Sequence, residues 1–238
     1  MKAKLFIVLL LVSAIAIAQK TDNNSIPDKN IDKYLTYFSN DNPGAVVTVI
    51  KDGNIIFNKA YGLSNTETKE VLTTDKAFNL NELSKAFTSV AIMILVEKKK
   101  LSLDQSLTDI FSDFPEYGKN IKIRNILSHT SGLKPYDPKQ LSTNSQVYDY
   151  LRSQNEVAFE PGTKMQYSNS DYALLALIIE KVSKTSYQAV LTKNIFKKLS
   201  LNNTWIAENK KGFPVADSHF KQDSNYVPKE ELNTIYGE

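Results

Sequence analysis

A chain of 238 residues with 42% hydrophobic and 23% charged side chains can bury a substantial core, is too apolar for intrinsic disorder, and has the length of one domain or one domain with an inserted lobe. The formal charge of +3 is small and dispersed as lysines beside acidic residues, which argues against nucleic acid or an anionic surface as a partner. With no cysteine in the sequence, disulfides, thiolate nucleophiles and zinc-thiolate sites are excluded.

Lys2 and Lys4 precede a short apolar run over residues 5–17, and Ala16-Ile17-Ala18 supplies small residues before Gln19. This is the pattern of a secretory signal, so residues 1–18 are expected to be cleaved. The run of about 13 apolar residues falls short of the roughly 20 that span a membrane. An exported chain is expected, periplasmic or extracellular, with no stable membrane anchor after cleavage. Residues 19–30 read as a polar linker and 31–238 as one domain.

Ile31, Tyr34, Leu35 and Phe38 fall at helical spacing and predict an amphipathic helix that ends at Pro43-Gly44. Residues 45–50 and 55–61 are apolar runs joined by Lys51-Asp52-Gly53-Asn54, whose Asp-Gly pair predicts a tight β-hairpin. Asn81 is the expected cap of a helix over 84–96, with Glu82 in its first turn and Lys85 on the same face. Ala86, Phe87 and 90–96 leave that helix almost no polar face, which predicts burial in the middle of a domain. Shorter helical segments are expected over 101–114 and 121–127, then a turn at Ser128-His129-Thr130-Ser131-Gly132 and a polar loop over 135–145. A short helix over 147–152 follows. A core helix through Leu174, Leu175, Ile178, Ile179 and Val182, capped by Ser170 or Asp171, and an amphipathic helix over 187–199 complete the apolar segments. Beyond Trp205 the sequence turns polar, and neither helix nor strand is expected there.

Residue chemistry alone gives structural readings. Lys85 is expected to form an ion pair with Glu82, and His129 is expected to be a hydrogen-bonded turn residue rather than the base of a Ser-His-Asp triad. Tyr167 and Asn169 precede the core helix, where packing or capping suffices to explain them. Asp104, Asp109 and Asp113 read as loop and cap residues rather than a glycosidase pair. Two distant histidines with no His-Glu-x-x-His spacing predict no metal site, and no cofactor is expected.

Several blocks then occur in a familiar order. They are Pro43-Gly44-Ala45, the Asp52-Gly53 hairpin, residues 78–89 (FNLNELSKAFTS), Leu101-Ser102-Leu103-Asp104, Ile126-Leu127-Ser128-His129-Thr130-Ser131-Gly132-Leu133, Pro161-Gly162-Thr163, Tyr167-Ser168-Asn169 and Leu201-Asn202-Asn203-Thr204. In this the chain resembles the beta-lactamase-related serine hydrolases, the group of class C beta-lactamases, penicillin-binding proteins, D-alanyl-D-alanine carboxypeptidases and small-ester esterases. The resemblance runs from about Ile31 to Trp205. It implies an α/β (α+β) fold of beta-lactamase/transpeptidase type, a helical lobe with an antiparallel sheet to which this chain contributes mainly the N-terminal hairpin.

The resemblance also implies a mechanism. A serine at a helix N-terminus attacks an amide or ester carbonyl, and water cleaves the acyl-enzyme. A lysine three residues later and a tyrosine move protons, and an asparagine orients the substrate. Carried over residue by residue, these are Lys85, Tyr167 and Asn169. The nucleophile position falls on Glu82. A third motif, Lys or His followed by Thr or Ser and Gly, is absent after Tyr167, and the C-terminal strands of the sheet are expected to be missing. Ser84 and Ser89 have no lysine at the third position, while Ser131 with Lys134 and Ser218 with Lys221 fit Ser-x-x-Lys by chance. Three readings follow: an exported serine hydrolase with impaired chemistry, a pseudoenzyme that binds a small molecule or cell-wall peptide, or a truncated product without independent function.

Overall fold

The computed structural model describes residues 28–39, 41–206, 215–223, 225–228 and 235–237. The expected signal segment and most of the linker lie outside the described residues. Helix α1, Asp28–Tyr34, begins within the expected linker and passes into a 3-10 turn, Thr36–Phe38. Its aromatic residues do not reach the core: Tyr34 is 82% exposed and Tyr37 56%. The helix is tied down instead by Asp32, which accepts hydrogen bonds from Lys59 Nζ at 2.7 Å and the Tyr61 hydroxyl at 2.8 Å.

The Asp-Gly hairpin forms as expected. Strands β1, Ala45–Lys51, and β2, Asn54–Tyr61, pair antiparallel about Asp52 and Gly53, both in the left-handed region at φ 50 and 77. A register shift between Val49 and Ile50 breaks the alternation. Phe57 therefore turns inward while Ile50 and Ile55 face solvent. A shorter pair follows, β3 (Leu63–Asn65) with β4 (Glu70–Val71).

The helical lobe is built around two long helices, α2 (Ser84–Glu97) and α6 (Asn169–Ser183). Ala91, Ile92 and Leu95 of α2 pack into a core shared with Leu174, Leu175, Ile178 and Ile179 of α6. Around them stand α3 (Leu107–Ile110), α4 (Ile123–Leu127), α5 (Asn144–Arg152) and α7 (Tyr187–Leu191), the last continuing into a π-type turn, Thr192–Phe196. The segment expected to be helical over 101–114 shortens to the single turn α3. A capping box between Ser106 and Asp109 fixes its start. Asp109 is thus a cap; Asp104 pairs with Arg124 and Lys122, and Asp113 with Arg152.

Three expectations are corrected. Helix α2 is not buried all round: Leu83 at its head and Val90 and Met93 along it are 70%, 47% and 46% exposed and form one outer face. Helix α6 is capped by neither Ser170 nor Asp171. Ser168 holds the N-cap position without a side-chain bond, while Ser170 accepts from Tyr136 N–H and donates to Lys134 C=O, and Asp171 is held by partners described below. Beyond Trp205 there is a hairpin after all, β5 (His219–Gln222) with β6 (Asn225–Pro228). It is held to β3 through Asp217 N–H to Ser64 C=O at 3.0 Å, and to the following turn through Thr66 N–H to His219 Nε2 at 3.2 Å.

Candidate functional site

A cleft of about 530 Å³ opens at the head of α2. Phe78, Phe87, Tyr136, Tyr187, Phe196 and Trp205 give it largely aromatic walls, and Tyr236 and Gly237 close one side. That last segment is locked to the lobe by Asn144, whose amide donates to Tyr236 C=O and accepts from Tyr236 N–H, each at 2.8 Å. Thr88 Oγ1 donates to Gly237 C=O at 2.9 Å and accepts from the Tyr187 hydroxyl at 2.7 Å. Burial pushes the Tyr187 phenol up to about 12, so it remains a neutral donor at any physiological pH.

The local chain path sets the two charged residues of the cleft. Asn79 Oδ1 accepts from Asn81 N–H at 3.0 Å, and Asn81 sits at φ 45. Asparagine tolerates this left-handed turn because its short side chain relieves it locally. Asn81 therefore starts a 3-10 turn, Asn81–Leu83, and is not the N-cap expected from sequence; Leu83 occupies that position and gives no side-chain bond. Glu82 stays exposed at the rim, while Lys85, one turn on, is only 8% exposed.

The expected Glu82–Lys85 ion pair is not made. Neither side chain has a hydrogen bond or ion pair among the described residues. The Lys85 ammonium lies instead over the rings of Tyr167, 5.1 Å from its centroid, and Tyr172, 5.7 Å. Such contacts are worth roughly 0.5–2 kcal/mol each, most when water is excluded. Tyr172 is fixed in turn: its hydroxyl accepts from Ser89 Oγ at 2.9 Å and donates to Leu127 C=O at 3.2 Å.

Beneath these rings lies a buried polar group. The His129 ring packs against Tyr167 and Tyr172, with centroids 4.7 and 5.1 Å apart. Its Nδ1 shares a hydrogen bond with Asp171 Oδ2 at 2.9 Å and stands 3.4 Å from Ser168 N, and Ser131 Oγ donates to Asp171 Oδ1 at 2.5 Å. Burial drives the Asp171 carboxyl above its ordinary 3.8, and the bonds from His129 and Ser131 offset this only in part. His129 is the turn histidine expected, at φ 56. Ser131 serves the carboxylate rather than the imidazole, so this is not a nucleophile-base pair. Ser218 fails for another reason. It lies one residue before β5, which holds Lys221, so no helical turn brings the two side chains together.

Of the residues singled out in the sequence, Glu82, Lys85 and Asn169 line one cleft, and Tyr167 stands against Lys85. Tyr167 presents its ring to the ammonium, and its hydroxyl has no hydrogen bond to Lys85 among the described residues. Asn169 opens α6 with its Oδ1 buried and unpartnered. Tyr172 was missed by sequence reasoning, although its spacing from Asn169 puts both on one face of α6. The closing segment 235–237 carried no signal, because its hold on the lobe, through backbone bonds to Asn144 and Thr88 and a Tyr236 ring stacked on Tyr187, joins residues far apart in sequence.

The family model described as Beta-lactamase matches residues 27–234. The chain belongs to the beta-lactamase family. A penicillin-binding protein of Bacillus subtilis is 34% identical over 167 residues, covering 66% of this chain and 37% of that protein. Protein flp of Staphylococcus aureus (strain MRSA252) is 30% identical over 180 residues, 70% of this chain and 35% of its own. Among solved structures, the octameric penicillin-binding protein homologue of Pyrococcus abyssi aligns with TM-score 0.77 at 26% identity, over 88% of this chain and 51% of that one. A class C beta-lactamase in complex with cefoxitin aligns with TM-score 0.72 at 25% identity, over 88% and 59%. The beta-lactamase/transpeptidase-like fold expected from sequence is therefore the fold observed. This beta-lactamase-family chain spans little more than a third of the length of the two sequence relatives.

Proposed function

We propose that this beta-lactamase-family chain is a ligand-binding form of an exported serine hydrolase, with its acyl-transfer chemistry impaired. The observation that carries the reading is Glu82 at the cleft rim, one turn before Lys85, where the family resemblance calls for an attacking hydroxyl. A carboxylate is a weak nucleophile toward an amide, and the anhydride it would form reverts more readily than it hydrolyses. The seating of Lys85 on two aromatic rings supports the same reading, because among the described residues the amine hydrogen-bonds to no hydroxyl it could deprotonate. Ser84 also lines the cleft, yet it neighbours Lys85 directly and lacks the one-turn spacing that brings side chains together.

The ligand class consistent with the family and the cleft is a small molecule or cell-wall peptide of D-alanyl type, met outside the cytoplasm. The test uses the full chain. Nitrocefin and p-nitrophenyl acetate should show no turnover above buffer, while an acylated D-Ala-D-Ala peptide should shift the NMR signals of Asn169 and Lys85. Turnover that disappears in Lys85→Ala would overturn the proposal.

A further inference from the structure

Glu82 and Lys85 are the only formally charged residues among the described residues lining the cleft. They differ in sign and depth, and they do not neutralise each other. Lys85 is more than nine-tenths buried with no carboxylate partner, a state that costs free energy unless a counter-charge arrives. The two tyrosine rings offset part of that cost. A quadrupole, however, stabilises a cation less than a carboxylate does in a dry site. In the same cleft, the buried Oδ1 of Asn169 is an acceptor without a donor. The site therefore lacks one anionic group at Lys85 and one N–H donor, and it keeps an unpaired carboxylate at its rim.

We propose that the cleft binds a zwitterion of α-amino-acid type, its carboxylate on Lys85 and its ammonium toward Glu82, with Asn169 Oδ1 as a second acceptor. Glu82 lies in the 3-10 turn that leads into α2 and Lys85 in the first turn of α2, so the two charges stand at different depths of one cleft. Serine at position 82 would leave only the carboxylate half of this recognition. Glutamate thus adds a preference for a free ammonium to a site that takes a carboxylate at Lys85. The inference rests on the reading of this cleft as a ligand site and names the charge pattern of its ligand.

The experiment titrates the full chain with glycine and both enantiomers of alanine, alongside acetate and ethylamine as half-ligands and an acylated D-Ala-D-Ala peptide. Binding is followed by NMR. The amino acids should bind at least about tenfold tighter than either half-ligand. Glu82→Gln, at an exposed position that leaves the fold intact, should abolish that advantage while retaining acetate binding. Lys85→Met, with folding checked by near-UV circular dichroism, should lose acetate as well. Equal affinity for acetate and the amino acids, or an advantage that survives Glu82→Gln, would overturn the inference. Binding of the acylated peptide alone would overturn it and leave the ligand-site reading standing; binding of nothing would remove both.

Discussion

Asp171 is the side chain on which the arrangement beneath Lys85 depends. It is wholly buried, it receives both His129 and Ser131, and through the His129 ring it holds Tyr167 and Tyr172 in place. Asp171→Asn should destabilise the fold by roughly 1–3 kcal/mol, since the amide keeps one acceptor oxygen where the carboxyl presents two, one to His129 and one to Ser131. A pH signature accompanies the loss. Because the folded carboxyl titrates above its ordinary 3.8, the folded state binds a proton that the unfolded chain has released. The stability from this group is fully present below 3.8 and falls as pH rises through the folded value. The gap in melting temperature between wild type and Asp171→Asn should therefore narrow as pH rises from about 3.8; thermal melts of both proteins across that range check it, and a constant gap would contradict the account.

At the scale of elements, turns and caps decide where helices lie. Gly132 follows His129 and Ser131 at φ 73, and a Cβ there would sit 2.1 Å from Phe159 C=O. Gly132→Ala should cost roughly 2–3 kcal/mol, visible as a lowered urea midpoint. Helix α5 begins with a capping box between Thr143 and Gln146, so Thr143→Ala should cost about 1 kcal/mol in the same assay. These features also explain what was legible beforehand. The Asp52-Gly53 hairpin and the cores of α2 and α6 announce themselves because turn chemistry and apolar periodicity act locally. The β5–β6 hairpin does not, because His219, Phe220, Lys221 and Gln222 are mostly exposed and the hairpin is held by bonds to residues 64 and 66 far away in sequence. In the cleft, the pairing of Lys85 with Asn169 and Tyr167 was readable from motif order. Its seating on aromatic rings was not, since spacing to Glu82 suggested a salt bridge and the left-handed turn at Asn81 set the two apart.

For the whole molecule, the outer face of α2 matters as much as the cleft. Leu83, Val90 and Met93 leave that face apolar and open, and exposed apolar faces drive association. The chain should show a sedimentation coefficient that rises with concentration, and Val90→Lys with Met93→Lys should remove the rise without lowering the melting temperature. Among the described residues no helix is long and apolar enough to cross a membrane. The central claim, a beta-lactamase-family cleft that holds ligand without acyl transfer, meets its most direct test in the intact mass of the chain after incubation with benzylpenicillin. The account predicts an unchanged mass while the Lys85 and Asn169 signals still respond to the acylated D-Ala-D-Ala peptide. A stable adduct of one penicilloyl group, mapped to a serine of the cleft, would contradict it.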